Sequence, residues 1–573
     1  MNNILFDLSF FIKRFFLLAI LSLALVQCRR VNVEEKERGV LADSVMVVSA
    51  REEASRIGAE VLRSGGNAFD AMIATDFALM VAYPFAGSIG GGGFAVFRTS
   101  DGKTGSIDYR EKAPLAAHRD MYLDEKGEII PDLSTLGALA VGVPGAIDGL
   151  FEIHKRYGTR PMAELIRPSI DLARNGVEVT AKQADRLNRY RHYFERANNR
   201  VIFLDREWKE GDTIRYPALA DTFQRILENG RDEFYLGKTA ELMVDCLQEL
   251  GGIITREDLA KYRAAWRDPI IFDYKDYRII SMAPPSSGGI CLAQILKSIE
   301  PYEIQQFGHN STKYVQLLTE AERRVYADRA HFLGDPDFTM IPIDSLKSAF
   351  YNTQRMSDFS WEKATPSSEV AHGDIRVVES EQTTHYSIVD SYGNAVSVTN
   401  TLNGAYGSKV FVEGAGFFLN NEMDDLSAKP GEPNMFGLIG AEANSIEPEK
   451  RMLSSMTPTL IEKSGELFMV VGSPGGATII TSVLQCILNV IEYDMGMQES
   501  VSASRFHHQW LPDDIRFESS FDTLVFQELR DKGYELSRGE SRILGKVDAI
   551  LVLPDGKLEG GADPRGDDTA IGF

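Results

Sequence analysis

Apolar positions recur at helical spacing from Arg51 to Ser64, at Ala54, Ile57, Val61 and Leu62, and the run stops at Gly65 and Gly66. This pattern predicts a helix ended by glycine. Asn67 is placed to cap a second helix, Ala68 to Tyr83, which is apolar nearly all round and so expected to be buried. A glycine run from Gly87 to Gly93 leads into a predicted strand, Phe94 to Arg98, and a second strand ends at Asp108-Tyr109-Arg110. From Gly142 to about Lys261 the pattern is helical, with helices predicted around Ile147–Tyr157, Met162–Asn175 and Leu219–Asn229. Pro284 to Gly289 reads as a turn before another helix, and Thr312 to Phe332 as an amphipathic helix. The period then changes to two. Thr383 to Val389 and Ala395 to Thr401 are rich in β-branched residues and flank the turn cluster Asp390 to Asn394, which predicts a β-hairpin. If Val389 faces Ala395, Thr383 faces Thr401, because both are equally far from Tyr392, and Asn403 shares their face. Opposed side chains sit roughly 5 Å apart at Cβ, so two hydroxyls would meet there.

Residues 1–28 break this globular pattern. Lys13 and Arg14 precede an apolar run from Phe15 to Val26, followed by Gln27 and Cys28. The run is short for a bilayer span but suits an export signal. Cys28 resembles a bacterial lipoprotein attachment site, although Gln27 stands where a small residue is usual. The expectation is an exported, periplasmic protein whose only membrane contact would be a lipid on Cys28. Cys246, Cys291 and Cys486 then remain, widely spaced, which suggests buried free thiols. Charged residues make up 25% and the net charge is −22, which argues against nucleic acid or anionic membrane as a partner. An anionic ligand would need a local cation, which makes single arginines informative.

Thr383 carries two readings. One is a threonine-rich strand pair with no special chemistry. The other makes Thr383 a new N-terminus after cleavage of the Gln382–Thr383 bond, since Ser367 to Gln382 is polar and charged and is expected to be exposed. A free N-terminal threonine carries its own base, an α-amine with a pKa of about 7.7–8.0, to take the hydroxyl proton. Gly475 and Gly476 follow a predicted strand, and adjacent glycines let backbone N–H groups converge as an oxyanion hole requires, although a plain strand–helix turn has the same pattern. Arg110 alone reads as a surface ion-pair residue, the ordinary case for a lone arginine, although its guanidinium fork also suits a carboxylate. Glu422, Asp424 and Asp425 cluster without the spacing of a calcium loop. No Gly-Lys-Ser/Thr follows the glycine run, and the adjacent His507 and His508 cannot easily share a metal, so neither cofactor nor metal is expected.

Thr383-Thr-His-Tyr-Ser387, Gly393-Asn394, Thr399 to Asn403 and Tyr406-Gly407 resemble the signature of the γ-glutamyltransferases, members of the N-terminal nucleophile hydrolases. The likeness runs from about residue 45 to the C-terminus. It implies an α+β fold, a four-layer αββα sandwich built jointly by a large subunit, residues 29–382, and a small one, residues 383–573. It also implies roles. Thr383 would be the nucleophile, Thr401 its hydrogen-bond partner, and Gly475 with Gly476 the oxyanion hole. Arg110, Ser454 and Ser455 would hold the donor's α-carboxylate, and Asn403, Glu422 and Asp425 its α-amine. Lys429 to Gly440 resembles a lid loop with Phe436 as its aromatic gate. The implied activity is transfer of the γ-glutamyl group of glutathione and related amides to water, or to amino acid and peptide acceptors, through a γ-glutamyl ester on Thr383. Two rivals stand beside it. A β-lactam or glutaryl side-chain acylase would share the fold, and a non-catalytic lipoprotein that binds γ-glutamyl peptides would be expected to lack Thr383 or Thr401.

Overall fold

The computed structural model describes residues 38–204, 206–370, 383–435, 437–538 and 543–573. Two seven-stranded sheets form its centre. The first runs Val40–Ala42, Leu558–Gly561, Asp548–Val552, Glu466–Gly472, Thr459–Lys463, Tyr277–Ser281, Ile270–Tyr274. The second runs Thr569–Gly572, Met46–Ser49, Thr384–Val389, Ala395–Thr401, Gly92–Arg98, Thr104–Asp108, Ala265–Arg267. Strand alternation assigns each side chain to a layer. Val47, Phe97, Tyr386, Ile388 and Val398 point outward into one core, shared with the helices Glu52–Arg63 and Ala68–Ala82. Val48, Val96, Ile279 and Val470 belong to the other, which continues to the helices Gly288–Ile299 and Thr478–Tyr493. Helix, sheet, sheet and helix therefore stack as the four-layer αββα order expected.

Polar contacts also stitch the sheets. Ser397 Oγ donates to Val471 O at 3.1 Å, Ser387 Oγ donates to Asp548 O at 3.0 Å, and Arg98 Nε bonds Glu462 at 2.7 Å. Each sheet combines strands from both sides of position 383, and Arg38 to Phe573 is one unit.

The helix Ala68–Ala82 is buried along its whole length. Asn67 caps it, accepting from Phe69 N and Asp70 N, while Asp70 accepts from Asn67 N. Such a cap contributes about 1 kcal/mol, so burial of Phe69, Met72, Phe77 and Leu79 outweighs it, at about 1.5–3 kcal/mol per large side chain. Gly58 lets the neighbouring helix approach closely, since a Cβ there would lie 2.3 Å from Thr75 Oγ1.

Two expectations need correction. Thr312–Phe332 is a helix, but it is buried continuously from Tyr314 to Ala330 rather than amphipathic. Its charges turn inward and pair: Arg324 bonds Glu320 at 2.7 Å and Asp358 at 2.6 Å. Periodicity cannot tell a paired internal charge from a solvated one. Ser367 was expected in an exposed segment, yet it is buried, its N–H donating to Asp513 at 2.6 Å and its carbonyl accepting from Trp510 Nε1 at 3.1 Å. Gln382, Phe436 and Cys28 lie outside the described residues. Cys291 and Cys486 are buried free thiols, while Cys246 is only partly buried.

Candidate active site

The hairpin forms in the expected register, with Val389 opposite Ala395 and Thr384 opposite Asn400. One more step along that register sets Thr383 against Thr401 at the strand ends. Thr383 is buried there, and Thr401 Oγ1 accepts from Asn403 N at 2.7 Å. That bond and the positive φ of Asn403, 70°, turn the chain out of the strand and fix the Thr401 hydroxyl.

A small cavity of about 20 Å³ brings the distant parts together. Arg110, Thr383, Thr401, Asn403, Asp425, Leu438, Ser454, Ser455, Met456, Gly476 and Ile479 line it. Glu422 and Gly475 are not part of that lining; Glu422 stands against Arg110 at 2.6 Å, and Gly475 precedes Gly476 in the turn. The turn needs both glycines. Gly475 has φ 134° and Gly476 φ 55°, and a Cβ on Gly475 would meet Gly545 Cα at 3.0 Å.

The electrostatics centre on Arg110. Its guanidinium is fully buried and pairs with Glu422 and Asp425, while Glu111 stands 3.7 Å away. These acids hold Arg110 charged against the cost of burial. Burial in turn pushes Glu422 and Asp425 above the usual carboxylate range, against the pull of Arg110, and Glu111 up to about 8. A cation and anions thus lie in direct contact a short way from the threonines. A ligand carrying both charges on one carbon can exchange partners with such a cluster.

Sequence reasoning missed Arg329 and Glu111. Arg329 Nε donates to Ser287 Oγ at 2.8 Å and its Nη2 to Ser455 Oγ at 3.1 Å, so a second buried guanidinium backs the serine pair. Ser287 also donates to Ser454 O at 2.7 Å, through N and through Oγ. The Pro284–Gly289 turn therefore supports Ser454 and Ser455. An inward arginine on a helix assumed amphipathic carried no sequence signal, whereas Glu111, beside Arg110, could have been flagged.

His385 sits two residues from Thr383 but is not poised to take a proton from it. It is buried between the sheets, bonded to Thr399 Oγ1 at 2.9 Å and Ser387 Oγ at 3.1 Å, and burial pushes its pKa down to about 3. Gly472 makes room for its ring, since a Cβ there would lie 2.2 Å from His385 Cε1. Among the described residues no histidine lines the cavity, which leaves the Thr383 amine as the base an N-terminal nucleophile would use. No group of three or more His, Cys, Asp or Glu side chains among them is arranged to hold a metal, and no helix among them is long and apolar enough to cross a membrane.

Glu432 to Met435 and Leu438 to Gly440 line part of a larger neighbouring cavity of about 560 Å³. Asn434 Nδ2 donates to Asp425 at 2.8 Å, and Met435 N donates to Asp424 at 2.8 Å. Burial raises Asp424 to about 7, opposed by its bonds from Ser134 and Met435. An acid raised in the folded state stabilises fully below its unfolded value, near 4, and that contribution is lost as pH climbs to about 7. Asp424→Asn is therefore expected to flatten part of the stability loss between about pH 4 and pH 7 in denaturant unfolding of uncleaved Thr383→Ala protein. An unchanged pH dependence would refute this assignment.

The chain is similar to several known proteins. The gamma-glutamyltranspeptidase family model matches residues 54–573. The glutathione hydrolase proenzyme of Escherichia coli K12 is 44% identical over 543 residues, covering 93% of each chain. That of Pseudomonas aeruginosa is 45% identical over 530 residues, covering 91% of this chain and 94% of its own. The crystal structure of cephalosporin acylase from Bacillus halodurans superposes with a TM-score of 0.83 at 25% identity, covering 95% of this chain and 98% of the acylase.

Proposed function

This chain belongs to the gamma-glutamyltranspeptidase family, and from that premise we propose how its centre works. It is a glutathione hydrolase of the γ-glutamyl-transferring type, made as a proenzyme. The Thr383 hydroxyl first attacks the Gln382 carbonyl carbon, and the peptide nitrogen leaves as the new α-amine. Water then opens the resulting ester. The mature Thr383 hydroxyl, deprotonated by that amine, attacks the γ-carbonyl of the donor. Gly475 and Gly476 stabilise the oxyanion, Thr401 orients the hydroxyl, and as the γ-amide C–N bond breaks its nitrogen departs as a free amine with the proton held by the Thr383 amine. Water or an acceptor amine releases the acyl group from Thr383.

One observation carries this reading: a single cavity has Thr383 and Thr401 in its wall together with Arg110, Asp425, Ser454 and Ser455. The first set suits acyl transfer, and the second an amino-acid head. Intact-mass measurement of the purified protein, with release of aniline from a γ-glutamyl anilide, tests it. Activity from an uncleaved chain would overturn the mechanism. The acylase reading draws on the likeness to cephalosporin acylase, but the head-group residues argue against it.

Export and lipid attachment at Cys28 are further parts of the proposal. Cys28→Ser is expected to move the protein from the membrane fraction to the soluble periplasmic fraction. Failure of the wild type to incorporate labelled palmitate would rule the anchor out.

A further inference from the structure

Behind the Ser473–Gly476 turn lies a buried acidic pair with no catalytic assignment. Asp548 opens the strand that pairs with Glu466–Gly472, directly opposite Gly472, the last residue before the turn. Asp568 comes from the approach to the edge strand of the other sheet. None of the four carboxylate oxygens of Asp548 and Asp568 accepts a hydrogen bond from another group among the described residues, the two carboxyls lie within hydrogen-bond reach of each other, and both side chains are shut off from water. Lys546 Nζ stands 3.6 Å from Asp568 and 3.1 Å from Tyr83 Oη. Two ionised carboxylates beside one ammonium, away from water, would leave one charge uncompensated, which is costly. One shared proton removes that charge and supplies the missing donor.

The same segment grips the turn. Lys546 N donates to Ser473 Oγ at 3.1 Å, Ser473 Oγ donates to Pro474 O at 2.7 Å, and Gly545 packs against Gly475. We propose that Asp548 and Asp568 form a carboxylic acid–carboxylate pair, salt-bridged to Lys546, whose shared proton positions the turn that carries Gly475 and Gly476. Both are positioning residues, touching no substrate. The inference rests on the oxyanion role given above to those glycines. Burial and the neighbouring charge raise both acids, Asp548 more strongly, so Asp548 holds the proton and Asp568 is the anion facing Lys546. The other ionisable groups around them are Asp563, Asp567, Tyr83, Arg186 and, through Ser387, the neutral His385. Losing the proton at high pH would set two anions against each other and shift the turn.

The experiment compares wild type, Asp548→Asn and Asp548→Ala as matured enzymes, with kcat and KM for a γ-glutamyl anilide measured across the alkaline range. The asparagine amide donates to Asp568 as the protonated acid does but cannot ionise. Wild-type kcat is expected to fall at high pH with KM unchanged. Asp548→Asn should retain neutral-pH kcat within about 3-fold and lose that alkaline fall, while Asp548→Ala should drop about 10-fold or more in kcat. If Asp548→Asn keeps the wild-type alkaline limb, or if its loss is in KM alone, the proposal is wrong. Should the alanine variant fail to fold, infrared difference spectra of Thr383→Ala protein still decide. A protonated-carboxyl stretch that disappears in Thr383→Ala/Asp548→Asn supports the pair, and its absence from the parent overturns it. Gly475→Ala, which a φ of 134° and the contact with Gly545 Cα cannot accommodate without moving the turn, separates the two layers: if kcat is unaffected there, the oxyanion assignment fails irrespective of the acid pair.

Discussion

Thr383→Ala protein is expected to run as a single chain on denaturing gels, where the wild type gives two fragments, the smaller spanning Thr383 to Phe573. Activity on a γ-glutamyl anilide should fall by about 10⁴-fold or more, because nucleophile and general base belong to the same residue. The fold itself should survive. Strands from both sides of residue 383 contribute to both sheets, so the two fragments are expected to stay joined as one unit after the cut. Thr383→Ser keeps both hydroxyl and amine, so it should still cleave and turn over. Among the described residues no histidine lines the cavity, and His385, with its pKa pushed down to about 3 and both ring nitrogens bonded, is too weak a base to stand in. A fully active Thr383→Ala chain would end the N-terminal nucleophile reading.

The second large effect concerns choice of acyl group. Arg110 is fully buried against Glu422 and Asp425, with Glu111 close by. Removing one member of a desolvated charge pair typically costs about 2–5 kcal/mol, because its partner is left unpaired. Asp425→Ala is therefore expected to lower kcat/KM on a γ-glutamyl anilide by roughly 30-fold or more, at about 1.4 kcal/mol per tenfold. Self-cleavage should survive, since it uses no free amino-acid head. Arg110→Ala should match or exceed that kinetic loss and should also destabilise the protein, because three buried carboxyls lose their shared cation. Glu422→Gln should cost less, because its amide oxygen still accepts a hydrogen bond. The discriminating comparison uses a glutaryl substrate, which lacks only the α-amine. Equal wild-type hydrolysis of glutaryl and γ-glutamyl amides would favour the acylase reading.

Much of this was legible along the chain because it depends on local physics. The capped buried helix after Asn67, the hairpin register around Tyr392 and the glycine turn at 475–476 follow from spacing, capping and backbone freedom. Residue chemistry nominated Thr383 and Arg110, and the resemblance to a known family gave them roles. Partnership was not legible. The sequence offered Arg110 and Asp425 as separate cation and anion, hundreds of residues apart, and only the fold set them in contact. Arg329 was hidden on a helix whose charges looked solvated, because periodicity records where charges fall but not what lies opposite. Ser367 looked exposed because it is polar, yet Asp513 and Trp510 from far along the chain bury it. Asp548 and Asp568 needed two sheets to bring together the first residue of one strand and the residue just before another. What the sequence by itself determined is the set of elements and the reactive groups they carry, since each is set by neighbours within a few residues. Which charges meet, and which lose their water, only the tertiary structure decided, because desolvation and Coulomb energy depend on distance in space rather than along the chain.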